Sequence, residues 1–286
     1  MIKFLNYFIQ AILIYIFFIF GRIFGLKISR QFFAFLFLKI GPLFKSNDII
    51  KKNLKIFSEN SLEQIDEKKI IEGMWKNYGM TFIEYVFLDH FRKDQSNLNI
   101  VDKADLSMIT KNQKPVIFIS GHFANFELMS MEITKRNISL ATIYRPLNNF
   151  FLNPFMEYLR KKYVCKYQIK KGLAGVKKTF EYIKEKKSIA LMIDQRVSEG
   201  EKINFFNTPA LTTTLPSQLA IKFDINIIPV FIKRNKDDGF DIIFQERIDP
   251  KKFKDKIELS KKLNDILEKM IIENPAQWIW THNRWK

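Results

Sequence analysis

The chain opens on an apolar stretch. Phe4 to Phe20, FLNYFIQAILIYIFFIF, is broken only by Asn6 and Gln10, and a second apolar piece, FFAFLFLKIGPLF, runs from Phe32 to Phe44. The first piece approaches the ~20 residues that cross the hydrocarbon core of a bilayer. Two arrangements fit: one spanning helix, or a pair of helices lying in the interface with their aromatic residues buried. A pair of ordinary core helices is the bland alternative. A cleaved signal peptide fits poorly, because Lys3 alone precedes the run and no small-x-small site follows Phe20. If the first piece spans, Arg22, Lys27 and Arg30 place the rest of the chain in the cytoplasm. Residues 1–44 are therefore expected to form a membrane-associated helical segment, and residues 45–286 an α/β domain.

From about Asp48 to Asn112 the pattern is helical. Met74, Tyr78, Phe82, Tyr85 and Leu88 recur at threes and fours and make one apolar face. Beyond that, short β-rich runs alternate with helical ones. Pro115–Ser120, Ser139–Tyr144, Ser188–Asp194, Asn226–Ile232 and Phe240–Gln245 read as strands. Helices are expected at Asn125–Lys135, Pro154–Tyr163, Gly172–Lys186, Pro216–Phe223 and about Leu259–Glu273. Such alternation predicts an α/β fold with a central, mostly parallel sheet flanked by helices. In sheets of this kind reactive groups gather at the carboxyl ends of the strands.

Composition sharpens the picture in two ways. The chain of 286 residues carries 47 Lys and Arg against 30 Asp and Glu, a formal charge of +17. A productive partner is then anionic: nucleic acid, an acidic lipid surface or an acidic carrier protein. The abundance of Lys with Ile, Phe and Asn also fits an A/T-rich coding bias, so part of the charge is explained as solvated surface. Cys165 is the single cysteine, which excludes an intramolecular disulfide and a cysteine metal cluster. Its setting, KKYVCKYQ, has no nearby base or elbow glycine and reads as structural.

The chemistry concentrates at SGHFANFEL, Ser120–Leu128. His122 stands two residues past the first strand of the alternating region, and Glu127 follows five positions later. Within one helix, five residues would turn the two side chains about 140° apart. With His122 in the loop and Glu127 in the first helical turn, the carboxylate can fold back on the imidazole, fix its tautomer and support a general base. Zinc ligation is disfavoured because the spacing is not His-Glu-x-x-His. Glu127 as a mere helix N-terminal charge remains open, although Ala124 precludes a capping box.

GHFANFEL resembles the Gly-His-Phe-Gly-Asn-Trp-Glu-Leu block of the late lipid A biosynthesis acyltransferases, of lauroyl or myristoyl transferase type. YRPLNN (Tyr144–Asn149), DQRVSEGEKINFFNTPA (Asp194–Ala210), IIPVF (Ile227–Phe231), the closing WIWTHNRWK (Trp278–Lys286) and the upstream KKNLKIFSE (Lys51–Glu59) are similar to further blocks of that family, in order. The likeness covers essentially the whole chain. There are departures. Ala124 and Phe126 replace the usual Gly and Trp, and Asn207 stands where Gly is usual after Phe-Phe, a position that tolerates positive φ. The arginine matched by Arg160 is commonly followed a few positions on by Gly, whereas here the chain reads RKKYVCK.

The resemblance implies a glycerol-phosphate-acyltransferase-like fold and transfer of a fatty acyl group from an acyl carrier protein thioester to a hydroxyl of a lipid A precursor. It implies work at the inner (cytoplasmic) membrane, the catalytic domain facing the cytoplasm, in contact with inner-membrane lipid. No metal, cofactor or nucleic acid enters such a reaction. In that setting His122 is the base and Glu127 its orienting acid. Arg160 and Arg145 are candidates for the oxyanion or a substrate phosphate, with surface ion pairs as their alternative. Asp194 is a positioning acid, or else a residue that merely caps its loop. Trp278, Trp280 and Trp285 are expected to pack or to meet the lipid interface. The rivals are an acyltransferase for a glycerophospholipid or another glycolipid, and, further off, a basic protein that binds membrane or nucleic acid without catalysis.

Overall fold

The computed structural model describes residues 2–44, 47–60, 65–93, 98–237 and 239–286. In chain order the helices are α1 (Ile2–Phe44), α2 (Asn47–Glu59), α3 (Glu67–Glu84), α4 (Leu88–Lys93), α5 (Ser107–Asn112), α6 (Glu127–Lys135), α7 (Asn153–Leu159), α8 (Leu173–Lys184), α9 (Leu215–Phe223) and α10 (Lys256–Glu273). The strands are β1 (Leu98–Asp102), β2 (Ile117–Ser120), β3 (Leu140–Tyr144), β4 (Tyr167–Lys170), β5 (Ser188–Met192), β6 (Glu201–Phe205), β7 (Thr208–Thr212), β8 (Ile227–Arg234) and β9 (Phe240–Phe244). Seven strands form one sheet in the order β1-β9-β8-β2-β5-β3-β4. All neighbours are parallel except β8 and β9. The mostly parallel α/β sheet expected from the alternating pattern is present.

Three features depart from the expectation. Leu98–Asp102 is an edge strand inside the stretch read as helical, and Tyr167–Lys170 is the opposite edge strand. Edge strands are short and covered on fewer sides, so their apolar pattern is weak. Asp194–Ala210 also hides strand β6, which pairs antiparallel with β7 through a turn at Phe206 and Asn207, both at positive φ (50° and 51°). The chain thus keeps the turn with Asn in place of the expected glycine.

Each sheet face carries its own core. Ile117 and Ile119 of β2 point with Ile189 and Leu191 into one, while Phe118 and Ala190 point into the other. That alternation is what a parallel strand buried on both faces requires. The three carboxy-terminal tryptophans belong to the first core, with Trp278 and Trp280 at 1 % and 0 % exposure. They pack rather than meet lipid.

The apolar opening folds as two helical arms meeting at Gly25, whose φ of 76° and ψ of 169° break the helix where a side chain would be strained. In a straight helix residues twelve apart are about 18 Å apart, yet the Phe20 and Phe32 rings lie 5.1 Å apart and Phe17 and Phe33 5.3 Å. The first arm lies along the body, with the Tyr15 hydroxyl donating to the Phe151 carbonyl at 3.0 Å and Asn149 donating to the Tyr7 carbonyl at 2.8 Å. The second arm crosses α3 where Gly79 has no side chain to keep the Phe33 backbone away. The outward face of the pair carries exposed Ile9, Ile16, Ile19, Ile23 and Phe35. Of the described helices, the stretch Ile2–Leu43 is long and apolar enough to cross a membrane.

A buried charge cluster fixes this pair to the sheet. Glu84, at the end of α3, accepts from Arg30 Nε at 2.6 Å, from Arg234 Nη1 at 2.5 Å and from Asn125 at 3.0 Å. Burial alone would raise the Glu84 carboxyl, but the Arg234 and Arg30 guanidinium groups hold it below its ordinary value. Removing one partner of such a cluster strands buried charge, at a cost of about 3–5 kcal/mol. Glu84→Ala is accordingly expected to lower unfolding stability by about that amount, measured by urea or thermal unfolding in detergent. A change under about 1 kcal/mol would show that the cluster is not what fixes the arms.

Candidate active site

The site is assembled by strand register. β2 and β5 are neighbours with Ser120 across from Met192, so His122 and Asp194, each two residues further on, leave the sheet side by side. The imidazole Nδ1 lies 2.8 Å from Asp194 Oδ1. Asp194 Oδ2 accepts the backbone N–H of His122 at 2.7 Å and the Trp278 indole N–H at 2.9 Å. With Nδ1–H donated to the carboxylate, Nε2 is left as the lone-pair nitrogen.

Both groups are shifted by this contact. Burial pulls the His122 pKa down, but the Asp194 carboxylate, by charge and hydrogen bond, outweighs it, and Glu127 adds to the rise against Arg160. The net result lies above the ordinary 6.5. Asp194 moves the other way: burial would raise it, while the His122 charge, the His122 ring and backbone donors and Trp278 hold it below 3.8.

Glu127 does open α6, as the sequence suggested, but its hydrogen bonds go elsewhere. Its Oε1 accepts from Arg160 Nε at 2.7 Å and from the Tyr85 hydroxyl at 2.8 Å. The carboxylate that directly holds the imidazole is therefore Asp194. The reason is topological: the loop after β2 carries His122 over the neighbouring strand end, where Asp194 leaves β5, and the Phe126 ring meets His122 edge-on at 4.8 Å. Glu127 acts on His122 through charge, and on Arg160 through contact.

Arg160 stands at the start of a π-helical turn, Arg160–Val164, which follows α7 and turns the guanidinium inward. Its Nη2 donates to the Tyr85 hydroxyl at 3.2 Å, and its guanidinium lies over the Tyr85 and Tyr144 rings. Burial opposes its charge, but Glu127 holds it firmly protonated. Arg145, just past β3, is exposed. Burial pushes the Cys165 thiol up to about 11, in keeping with a structural cysteine.

The loop bearing His122 is pinned along its length. Ala124 donates to the Gln277 carbonyl at 3.1 Å and accepts from Thr81 at 3.0 Å, and Asn125 reaches Glu84. These contacts hold Ala124 at φ 43°, an unfavourable angle for a residue with a Cβ. A cavity of about 960 Å³ opens beside His122. His122, Glu127, Arg160 and Arg145 line it together, with Met129, Ala190 and Leu191 contributing apolar wall. Asp194 lies behind His122, at 1 % exposure. Sequence reasoning did not single out Tyr85, Trp278 as a ligand of Asp194, or His282 in the cavity wall. Only the run of aromatic and basic residues in the closing segment hinted at the last two.

Comparison with known proteins concerns the chain as a whole. The profile of a family described as bacterial lipid A biosynthesis acyltransferase matches residues 2–286. A lipid A biosynthesis acyltransferase from Haemophilus influenzae is 26 % identical over 260 residues, covering 89 % of this chain and 82 % of its own. A crystal structure of a 1-acyl-sn-glycerophosphate acyltransferase from Thermotoga maritima is 14 % identical, covers 89 % of this chain and 100 % of its own, and has a TM-score of 0.42.

The ion pair between His122 and Asp194 yields a direct test. Nuclear magnetic resonance titration of the His122 ring should give a pKa above 6.5, and Asp194→Asn should bring it down. A ring that titrates at its ordinary value in the unsubstituted protein would contradict the assignment.

Proposed function

Because the chain belongs to the bacterial lipid A biosynthesis acyltransferases, and so transfers acyl groups, we propose that it moves a fatty acyl chain from an acyl carrier protein thioester to a hydroxyl of a lipid A precursor. The observation that carries this reading is the His122–Asp194 pair at the wall of a large, partly apolar cavity. In this mechanism Nε2 of His122 takes the hydroxyl proton as the acceptor oxygen attacks the thioester carbonyl carbon. Asp194 stabilises the resulting imidazolium and keeps Nε2 turned to the substrate. The tetrahedral intermediate collapses, the carbon–sulfur bond breaks, and the thiolate of the carrier leaves with the proton from His122.

The surrounding charges take distinct parts. Glu127 holds the Arg160 guanidinium at the cavity wall, and its negative charge adds to the stabilisation of the imidazolium. Arg145, exposed at the cavity, suits a phosphate of the acceptor. The net charge of +17 favours every anionic participant: the acidic carrier, the acceptor phosphates and an anionic leaflet. The exposed apolar face of the two amino-terminal arms supports membrane association, and the location proposed is the inner membrane with the catalytic domain on the cytoplasmic side.

Purified protein in detergent, given acyl carrier protein thioesters and separate acceptor lipids, tests the reading. Acylation of the lipid A precursor is expected, with kcat/KM falling as pH drops through the raised His122 pKa, since the protonated ring is no base. His122→Ala should cost about 10²–10⁴ in kcat with folding intact. Acylation of a glycerol phosphate in place of the lipid A precursor would reject the acceptor, and full turnover by the folded His122→Ala protein would remove His122 from the mechanism.

A further inference from the structure

A second histidine lines the same cavity. His282 belongs to the closing segment, whose Ile279, Thr281 and His282 form part of the cavity wall. Its Nε2 lies 2.8 Å from the backbone nitrogen of Arg196. A backbone N–H only donates, so Nε2 accepts there and carries no proton; the ring proton of the neutral form then sits on Nδ1. Among the described residues no group accepts from that Nδ1–H.

The ring is also held in place through its backbone. Asn53 Nδ2 and the Arg284 N–H both donate to the His282 carbonyl, at 2.7 and 2.9 Å, and the Tyr78 hydroxyl meets Thr281 Oγ1 at 2.9 Å. A donor fixed in position and tautomer needs no reorganisation when charge develops beside it.

One short loop holds both imidazoles. Asp194 binds His122 with its side chain, and Arg196, two residues on, binds His282 with its backbone N–H. Their environments push them apart. The carboxylate raises His122, whereas burial, opposed by Asp194 but reinforced by His122, Arg284 and Lys171, keeps His282 below the ordinary 6.5. Two titratable groups separated in this way divide into a proton acceptor and a neutral donor. Arg160, by contrast, already spends Nε on Glu127 and Nη2 on Tyr85.

We propose that His282 is a second catalytic histidine, which donates its Nδ1–H to the carbonyl oxygen of the bound thioester and to the oxyanion formed there. The inference rests on the acyl-transfer reading and assigns a donor to the oxyanion. When the acceptor oxygen bonds to the carbonyl carbon, its proton passes to His122 and the carbonyl π pair moves onto oxygen, where the His282 hydrogen bond shortens without proton transfer. When the carbonyl re-forms, the pair returns, the carbon–sulfur bond breaks, and the thiolate takes the proton from His122. His282 ends as it began.

Two substitutions separate catalysis from structure. Glutamine can place its amide oxygen where Nε2 was and keep the Arg196 bond, but it has no donor at Nδ1. Asparagine can place a donor near Nδ1, but it loses the Arg196 bond. With acyl carrier protein thioester and lipid A precursor, His282→Gln is expected to lose about 10²–10³ in kcat with KM within about threefold, and His282→Asn to retain most of the turnover. Melting temperatures report folding. A His282→Gln protein that turns over like wild type, or a His282→Asn protein as impaired as His282→Gln, overturns the inference while wild type and His122→Ala uphold the reaction. An inactive wild type overturns the acyl-transfer reading and this inference with it. Nitrogen-15 histidine spectra of the unsubstituted protein give a check free of folding: a His282 ring that carries its proton on Nε2 at neutral pH overturns the assignment.

Discussion

Parallel pairing of β2 with β5 is the constraint on which the site depends. Ser120 and Met192 are partners in that ladder, and the two loops that leave it hold an imidazole and a carboxylate in contact. No long-range device is needed to bring His122 to Asp194; two adjacent strand ends suffice. A parallel sheet also puts β3 alongside β5 with the same polarity, which delivers Tyr144 and Arg145 to the same edge. The carboxylate stays charged although it is buried, because three N–H donors converge on it. Its charge in turn makes the imidazole a stronger base than it would be free in water.

Behind the loop stands a second layer of polar contacts, with the opposite sign pattern. Glu84 is a buried acid between two arginines, one from α1 and one from the end of β8, and Asn125 carries that cluster into the His122 loop. Gln277 joins from the other side, accepting from the Arg234 N–H at 2.7 Å and from Ala124 through its carbonyl at 3.1 Å. The strained backbone angle of Ala124 is thus held from several directions at once, the circumstance in which a disfavoured φ persists. The pinning explains how a loop can present His122 with the precision of a helix or strand.

The sequence made some of this readable. Alternating short β runs and helices announced a parallel sheet, and His122 at a strand end pointed to the edge where the cavity opens. What it lacked was strand order. Nothing in the runs Ser139–Tyr144 and Ser188–Asp194 says that the later one sits beside β2, so spacing alone offers Glu127, nearest in sequence, where the ladder brings the Asp194 carboxylate against the ring. The edge strands β1 and β4 escaped for a local reason: five and four residues, partly exposed, carry too little pattern to be distinguished from their helical surroundings. His282 lies far beyond His122 in the chain, and no spacing links the two. Its relevance appears only once the closing segment is seen to wall the cavity.

The Gly25 break has a consequence for how this protein is handled. An apolar leader invites deletion when a soluble version is wanted, yet here Phe33 is fully buried and Arg30 forms one side of the Glu84 cluster. Cutting the chain after residue 44 would open a trough across α3, uncover Trp75, which lies against Gly41, and leave Glu84 to share its charge with Arg234 alone. The greasy hairpin is as much keystone as float, and replacing its outward isoleucines is a sounder route to solubility than removing it.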